Sequence, residues 1–270
     1  YSVMEAKKII DSGKMGKLLW MRGVYGKAGS IDYNTNWRNY KKHSGGGILI
    51  DQGIHMLDLM RYFSKENFNK ISSHITTAYW DIKVEDNAFI IMESENNIIA
   101  SMHSSATQWK HKFLLEMCFE EGYINLDGIL SGTRSYAPEK LVVGRREFED
   151  ITFAMGKPKE NITWFENDDS WVMEVDEFIN AVKGNGEILQ GTINDAFETL
   201  SLVENIYNNS KFNPITNINK DIIIPMETLA LSVNLDSDNF DLLSFTTGLL
   251  KEENTFLLSE GTGAFNLKND

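Results

Sequence analysis

The sequence predicts an α+β fold, a mostly antiparallel β-sheet with helices packed on one face. Three observations predict it. Between residues 71 and 143, short apolar or alternating runs recur with turn residues between them, the pattern of hairpin-connected strands. Stretches near 48–63, 168–184 and 192–210 repeat apolar residues at helical spacing. Strands and helices do not alternate, as a doubly wound parallel sheet would require.

The elements follow in order. Val3, Ala6, Lys7 and Ile10 share one helical face, and Gly13 stops that helix. Residues 18–25 read as a strand. Residues 27–43, rich in Asn, Lys and Tyr, read as a long loop of the kind that carries function. Ser44-Gly45-Gly46-Gly47 then leads into a helix whose Ile50, Ile54, Leu57 and Met60 fall on one side. Strands are expected at 71–80, 88–92, 98–103, 113–119 and 123–126, separated by Glu95-Asn96-Asn97, Glu121-Gly122 and Asp127-Gly128. Asp168-Asp169-Ser170 offers N-caps to a helix with the stripe Trp171, Val175, Phe178, Ile179 and Val182, ending at Gly184. Thr192 caps a last helix carrying Ala196, Leu200, Val203 and Ile206. We divide the chain into a domain at 1–212 and a tail at 213–270. The tail has 3 Lys against 9 acidic residues and no recognisable chemistry.

Charge narrows the function. With 26 basic and 39 acidic residues, the net charge of −13 disfavours nucleic acid and anionic membrane surfaces as partners. No apolar run reaches the ~18 residues of a membrane-spanning helix, and no signal peptide is visible at Tyr1-Ser2-Val3-Met4-Glu5. The one cysteine, Cys118, excludes an intramolecular disulfide and reads as a buried thiol in a strand. A reducing cytoplasm is the expected location. A chain that opens at Tyr1 inside a helical pattern is expected to be a fragment.

The chemistry concentrates in Asp51-Gln52-Gly53-Ile54-His55-Met56-Leu57-Asp58. On a helix, Asp51, His55 and Asp58 project within about 40° of one another. A carboxylate one turn from an imidazole holds its tautomer and raises its basicity, which makes a general acid/base pair. The same spacing also describes a solvated surface pair or a metal site. The preceding glycines allow a close backbone approach. They form neither a P-loop, for lack of the Lys-Ser/Thr, nor a G-x-G-x-x-G, which the chain does not contain.

Trp37-Arg38, Ser44-Gly45-Gly46-Gly47 and Asp51-x-Gly53-x-His55-x-x-Asp58 together resemble the C-terminal half of the glucose–fructose oxidoreductase/inositol dehydrogenase (Gfo/Idh/MocA) family. Met4-x-x-Ala6-x-x-Ile9-Ile10-x-x-Gly13-x-x-Gly16-x-Leu18 is similar to that family's linking helix and first strand, and Trp80-Asp81-Ile82-Lys83-Val84-Glu85-Asp86-Asn87-Ala88-Phe89 to a mid-sheet segment. The resemblance implies a large open sheet whose uncovered face makes a homodimer or homotetramer. It implies oxidation or reduction of a sugar, sugar derivative or cyclitol with NAD or NADP, His55 as acid/base and Asp51 orienting His55 and the substrate. Trp37 and Arg38 would border the pocket. No cofactor-binding residue or metal ligand is assigned. The family's Glu-Lys-Pro has no match, since Glu139-Lys140 follows Pro138. The chain alone is therefore expected to lack turnover, and a non-catalytic carbohydrate-binding or scaffold module that has lost the cofactor domain is the competing expectation. Trp80, His103, Trp109 and His111 read first as core or interface packing, and second as sugar-stacking groups.

Overall fold

The computed structural model describes residues 1–148, 154–210 and 212. All of them lie in the first of two compact units, Tyr1–Asn217. The tail expected at 213–270 lies outside the described residues.

The expected fold class is present. Among the described residues eight strands form one sheet: β1 (Leu18–Gly26), β2 (Phe68–Thr76), β3 (Asn87–Ser94), β4 (Ile99–Ser105), β5 (Lys112–Phe119), β6 (Gly122–Asp127), β7 (Glu139–Arg145) and β8 (Glu160–Phe165). Their order is β2-β3-β4-β1-β5-β6-β7-β8. β1 slots between β4 and β5, parallel to the first and antiparallel to the second, so the meander is split by the strand that precedes it. Strand patterning reports faces and not neighbours, which is why this insertion is not readable from spacing. β8 was also not expected. It is a short edge strand whose Ile162 and Trp164 stay about half exposed, at 48% and 57%, so it shows no buried side to betray it.

Helices cover one face. α1 (Ser2–Asp11) buries Ala6, and α3 (Ile54–Ser64) buries Met56, Leu57, Met60 and Phe63. α5 (Ile193–Asn209) packs on β2 and α3 and buries Leu202, Val203, Ile206 and Tyr207. Its first turn is closed by the reciprocal pair Thr192 and Asp195, a capping box worth about 1 kcal/mol. These side chains join Met21, Ile90, Met92, Leu115, Met117 and Ile124 in one core. Glycine decides one approach here: a Cβ at Gly23 would overlap Met56 and Met60, so β1 lets α3 sit close.

Met102 is buried on the helix-covered face, whereas Phe89, Ile91 and Ile99 stand on the open face, 50–58% exposed. Two expectations change. Cys118 is only half-buried, because alternation puts it on the open side of β5. α4 (Ser170–Val182) forms, but none of its residues is buried, so its stripe does not join the core.

Candidate functional site

The register of the sheet brings the ends of β1, β2, β4 and β6 and the starts of β3, β5 and β7 to one edge. The segment between β1 and α3 closes over that edge. It contains 3-10 turns at Tyr33–Thr35 and Trp37–Asn39, a short helix α2 (Lys41–Ser44), the three glycines and a π-helical turn at Leu49–Gly53 that runs into α3. The expected regular helix from residue 48 thus opens with a π turn, a form that recurs at functional sites.

Glu85 fixes that opening turn. Its side chain is fully buried. Both carboxylate oxygens accept the Gly47 N–H at 2.9 Å, and Oε1 also accepts Leu49 N–H at 3.0 Å and the Tyr207 hydroxyl at 2.6 Å. The Glu85 carbonyl accepts Ile48 N–H at 3.0 Å. The glycines now have a reason: a Cβ at Gly47 would overlap the Glu85 backbone, and one at Gly46 would overlap the Tyr207 hydroxyl. These amides at the start of a helix are the groups that would otherwise hold a phosphate, and a carboxylate of the chain itself occupies them. Burial pushes the Glu85 carboxyl upward, against the hydrogen bonds that favour its charged form.

Asp51 lies on the π turn. Its Oδ2 accepts from Lys27 Nζ at 2.5 Å, and its Oδ1 faces Arg38 Nε at 3.2 Å. Lys27 and Arg38 keep 18% and 26% of their side chains exposed and Asp51 23%, so the trio is sheltered without being dry. Among the described residues no hydrogen bond joins Asp51 to His55, and the orienting contact expected from the sequence is not formed here. Both carboxylate oxygens are engaged instead by cations, Oδ2 by Lys27 and Oδ1 by Arg38. His55, the second residue of α3, is exposed, with the Tyr25 ring 6.5 Å away. Asp58 turns toward α5, where it accepts the Thr199 hydroxyl at 2.9 Å. Asp51, His55 and Asp58 therefore do not converge, and no cluster fit for a metal ion occurs among the described residues.

Arg38 joins the Asp51 cluster, and its guanidinium lies 4.6 Å from the centre of the Trp37 ring, itself 38% exposed. Sequence reasoning missed the groups that surround this cluster. Tyr25, at the end of β1, packs edge-on against Tyr136 at 5.2 Å. Gln52 donates its amide N–H to the Tyr136 hydroxyl at 2.7 Å, and the Gln52 amide oxygen is buried with no partner among the described residues. His111 lies edge-on to Tyr136 at 4.8 Å; burial first, and Lys27 second, hold its pKa down. Burial raises the pKa of Tyr25 and of Tyr136, so both are neutral hydroxyls at physiological pH. One signal for Lys27 existed, since it opens the polar loop that follows β1. Glu139, by contrast, is structural: it accepts the backbone N–H groups of Ser2 and Leu130.

Comparison with known proteins fits this geometry. The sequence profile of the GFO/IDH/MocA C-terminal domain matches residues 3–125, the stretch that holds Lys27, Arg38, Asp51, His55 and Glu85. Residues 3–125 form a GFO/IDH/MocA C-terminal domain.

Two curated relatives match parts of this domain. Levoglucosan dehydrogenase of Pseudarthrobacter phenanthrenivorans is 36% identical over 78 residues, 28% of this chain and 20% of that protein. The scyllo-inositol 2-dehydrogenase (NAD(+)) of Bacillus subtilis is 28% identical over 128 residues, 44% of this chain and 35% of that protein. The chain thus spans about a third or less of the curated relatives it matches. Among solved structures, levoglucosan dehydrogenase in complex with NADH and levoglucosan superposes with a TM-score of 0.64 at 17% identity, covering 77% of this chain and 60% of that one. Aldose-aldose oxidoreductase from Caulobacter crescentus gives 0.60 at 19% identity, covering 77% and 57%. At such identities the GFO/IDH/MocA C-terminal domain shares the fold of those proteins.

Proposed function

We propose that the chain is the substrate-binding half of an oxidoreductase acting on a hydroxyl or keto group of a sugar, sugar derivative or cyclitol. The observation that carries this reading is an exposed imidazole, His55, one turn from a carboxylate, Asp51, clamped between Lys27 and Arg38, inside a GFO/IDH/MocA C-terminal domain. In this reading Asp51 accepts a hydrogen bond from a substrate hydroxyl and fixes its place. His55 takes the proton of the reacting hydroxyl, or returns it in the reverse direction, from an exposed position open to substrate. The Lys27 ammonium favours negative charge developing on that oxygen. The Gln52 amide oxygen supplies a further acceptor, and Trp37 with Arg38 borders the entrance. The acting domain extends to residue 212, with 213–270 as an appended tail, and the protein works in the cytoplasm. Among the described residues no helix is long and apolar enough to cross a membrane.

NAD or NADP is the cofactor class that the relatives' names support, and a nicotinamide would accept or deliver the hydride. The described residues do not fit its diphosphate. β1 is followed by 3-10 turns and not by a glycine turn opening a helix, and the amides at 47 and 49 are taken by Glu85. The second reading is a carbohydrate-binding or scaffold module that holds a sugar at the same Asp51 cluster without turnover.

The two readings separate in one experiment. The natural gene product is assayed by nicotinamide absorbance with a panel of aldoses and inositols, beside its His55→Ala variant. Turnover that falls about 10²–10⁴-fold in the variant supports the oxidoreductase. Turnover untouched by the substitution removes His55 from the chemistry, and sugar binding with no turnover favours the module.

We also propose that the open face makes a homodimer or homotetramer. Phe89, Ile91 and Ile99 form an apolar strip there, beside the Arg22–Glu116 pair at 2.6 Å.

A further inference from the structure

An aromatic cluster begins where the Asp51 cluster ends. Lys27 Nζ, held by Asp51, lies 5.5 Å from the centre of the Tyr33 ring. Tyr33 is buried and packs on Trp80 at 4.6 Å. Trp80 meets Tyr79 at 5.1 Å and Trp109 at 5.9 Å, and Tyr79 and Trp109 meet each other at 4.8 Å. The inner rings are packed away, whereas Tyr79 and Trp109 are 66% and 57% exposed. All three outer contacts are edge-to-face, with interplanar angles of 62–88°, an arrangement in which an outer ring keeps a face uncovered.

The cluster is built to hold its shape. Asp86 is fully buried and accepts the backbone N–H groups of Ala78, Tyr79 and Trp80 at 2.7, 2.8 and 3.0 Å. The Trp80 indole N–H donates to the Ala106 carbonyl at 2.9 Å. A Cβ at Gly29 would overlap the Trp80 ring, so the loop after β1 must carry glycine there, at a φ of +73°. Trp109 itself sits at a φ of +55°. A bulky residue in the left-handed region costs about 1 kcal/mol or more, and this one holds its ring outward, in water. Core packing explains Tyr33 and Trp80 but not Tyr79 or Trp109.

We infer that Tyr79 and Trp109 form a stacking subsite for a second sugar ring, so that the substrate class is a glycoside or short oligosaccharide with its reacting ring at Asp51 and His55. The inference rests on the reading of that cleft as a sugar site and extends it. Three features favour this occupant. The rings connect to the Asp51 cluster through Lys27 and Tyr33, and the Gln108 N–H, next to Trp109, donates to the Lys27 carbonyl at 3.3 Å. A sugar ring presents an apolar C–H face to an aromatic ring and its hydroxyls to the neighbouring polar groups. The area is small for a protein partner: two such rings, 66% and 57% exposed, offer about 250 Å², below the ~600 Å² that each side of a stable interface contributes.

The test uses the 270-residue chain, with glucose, cellobiose and maltose as probes, read by tryptophan fluorescence and by saturation-transfer NMR. At least one disaccharide is expected to bind about tenfold tighter than glucose, the worth of one good stacking contact. Trp109→Ala is expected to abolish that gain and leave glucose binding within about twofold. Trp109→Phe is expected to keep most of the gain, and Tyr79→Ala to lose part of it, which separates stacking from misfolding. Equal binding of glucose and both disaccharides, or a gain that survives Trp109→Ala, overturns the subsite and leaves the monosaccharide reading standing. Absence of saturable binding by all three sugars overturns both. Dissociation of an oligomer by Trp109→Ala assigns the rings to an interface instead and also overturns the subsite.

Discussion

Both carboxylate oxygens of Glu85 lie 2.9 Å from the Gly47 amide, and this one contact ties the start of β3 to the turn that presents Asp51. It makes Gly47 a position that admits no side chain. Gly47→Ala would press a methyl group into the Glu85 carbonyl. We expect a loss of about 1–3 kcal/mol, the usual range for overpacking a site that cannot yield. Urea denaturation reads this directly, and a variant within about 0.5 kcal/mol of the parent would show that the turn relaxes freely.

The buried Glu85 gives stability a pH dependence of known sign. Its folded pKa lies above the value of 4.5 for a free side chain, because burial outweighs the hydrogen bonds to its charged form. In the window above 4.5 the folded state holds more protons than the unfolded one, so this group's contribution falls as pH rises through the folded pKa. Denaturation of the parent and of Glu85→Gln is expected to show the parent's relative stability greatest in mild acid and shrinking toward neutral pH. A gap that widens with pH would reverse the assignment.

His103 works in the opposite direction. Burial depresses its pKa below 6.5, so the folded state prefers the neutral ring. Its contribution is present above 6.5 and is lost as pH falls through the folded pKa. Nε2 lies 3.0 Å from the Asn87 side-chain oxygen, and the ring stacks on Phe89 at 3.8 Å. His103→Gln is expected to flatten the acid limb of the stability curve below 6.5. NMR titration giving His103 a pKa at or above the free value would count against this.

Removal of Asp51 should cost more than removal of Lys27. Asp51→Ala leaves Lys27 and Arg38 facing each other unneutralised, whereas Lys27→Met leaves the Asp51–Arg38 pair intact. For groups of intermediate burial we expect about 1–3 kcal/mol for the first and about 1 kcal/mol less for the second. Equal losses would mean that the three charges are not coupled.

The open face gives a prediction about assembly. Ile91, 58% exposed between Phe89 and Glu93 on β3, sits in the middle of the apolar strip. If that strip is an interface, the parent sediments as a dimer or tetramer at micromolar concentration, and Ile91→Lys sediments as a monomer with an unchanged melting profile. A monomeric parent would remove the proposal.

The sequence by itself determined the fold class, six of the eight described strands, the Thr192 cap of the last helix and the motif around Asp51. These depend on local periodicity and on turn and cap chemistry, which a linear reading reaches. It placed Asp51 and His55 one turn apart, but not their partners. Only the tertiary structure decided that Asp51 is held by Lys27 from the end of β1 and by Arg38 from a 3-10 turn, and that Glu85, 38 residues beyond Gly47, fills the amides at the start of the site turn. The position of β1 between β4 and β5 was likewise invisible. The reason is the same in each case. Periodicity reports which way a side chain points, whereas partners are chosen by chain segments far apart in sequence, where charge and close approach select among many alternatives of equal local propensity.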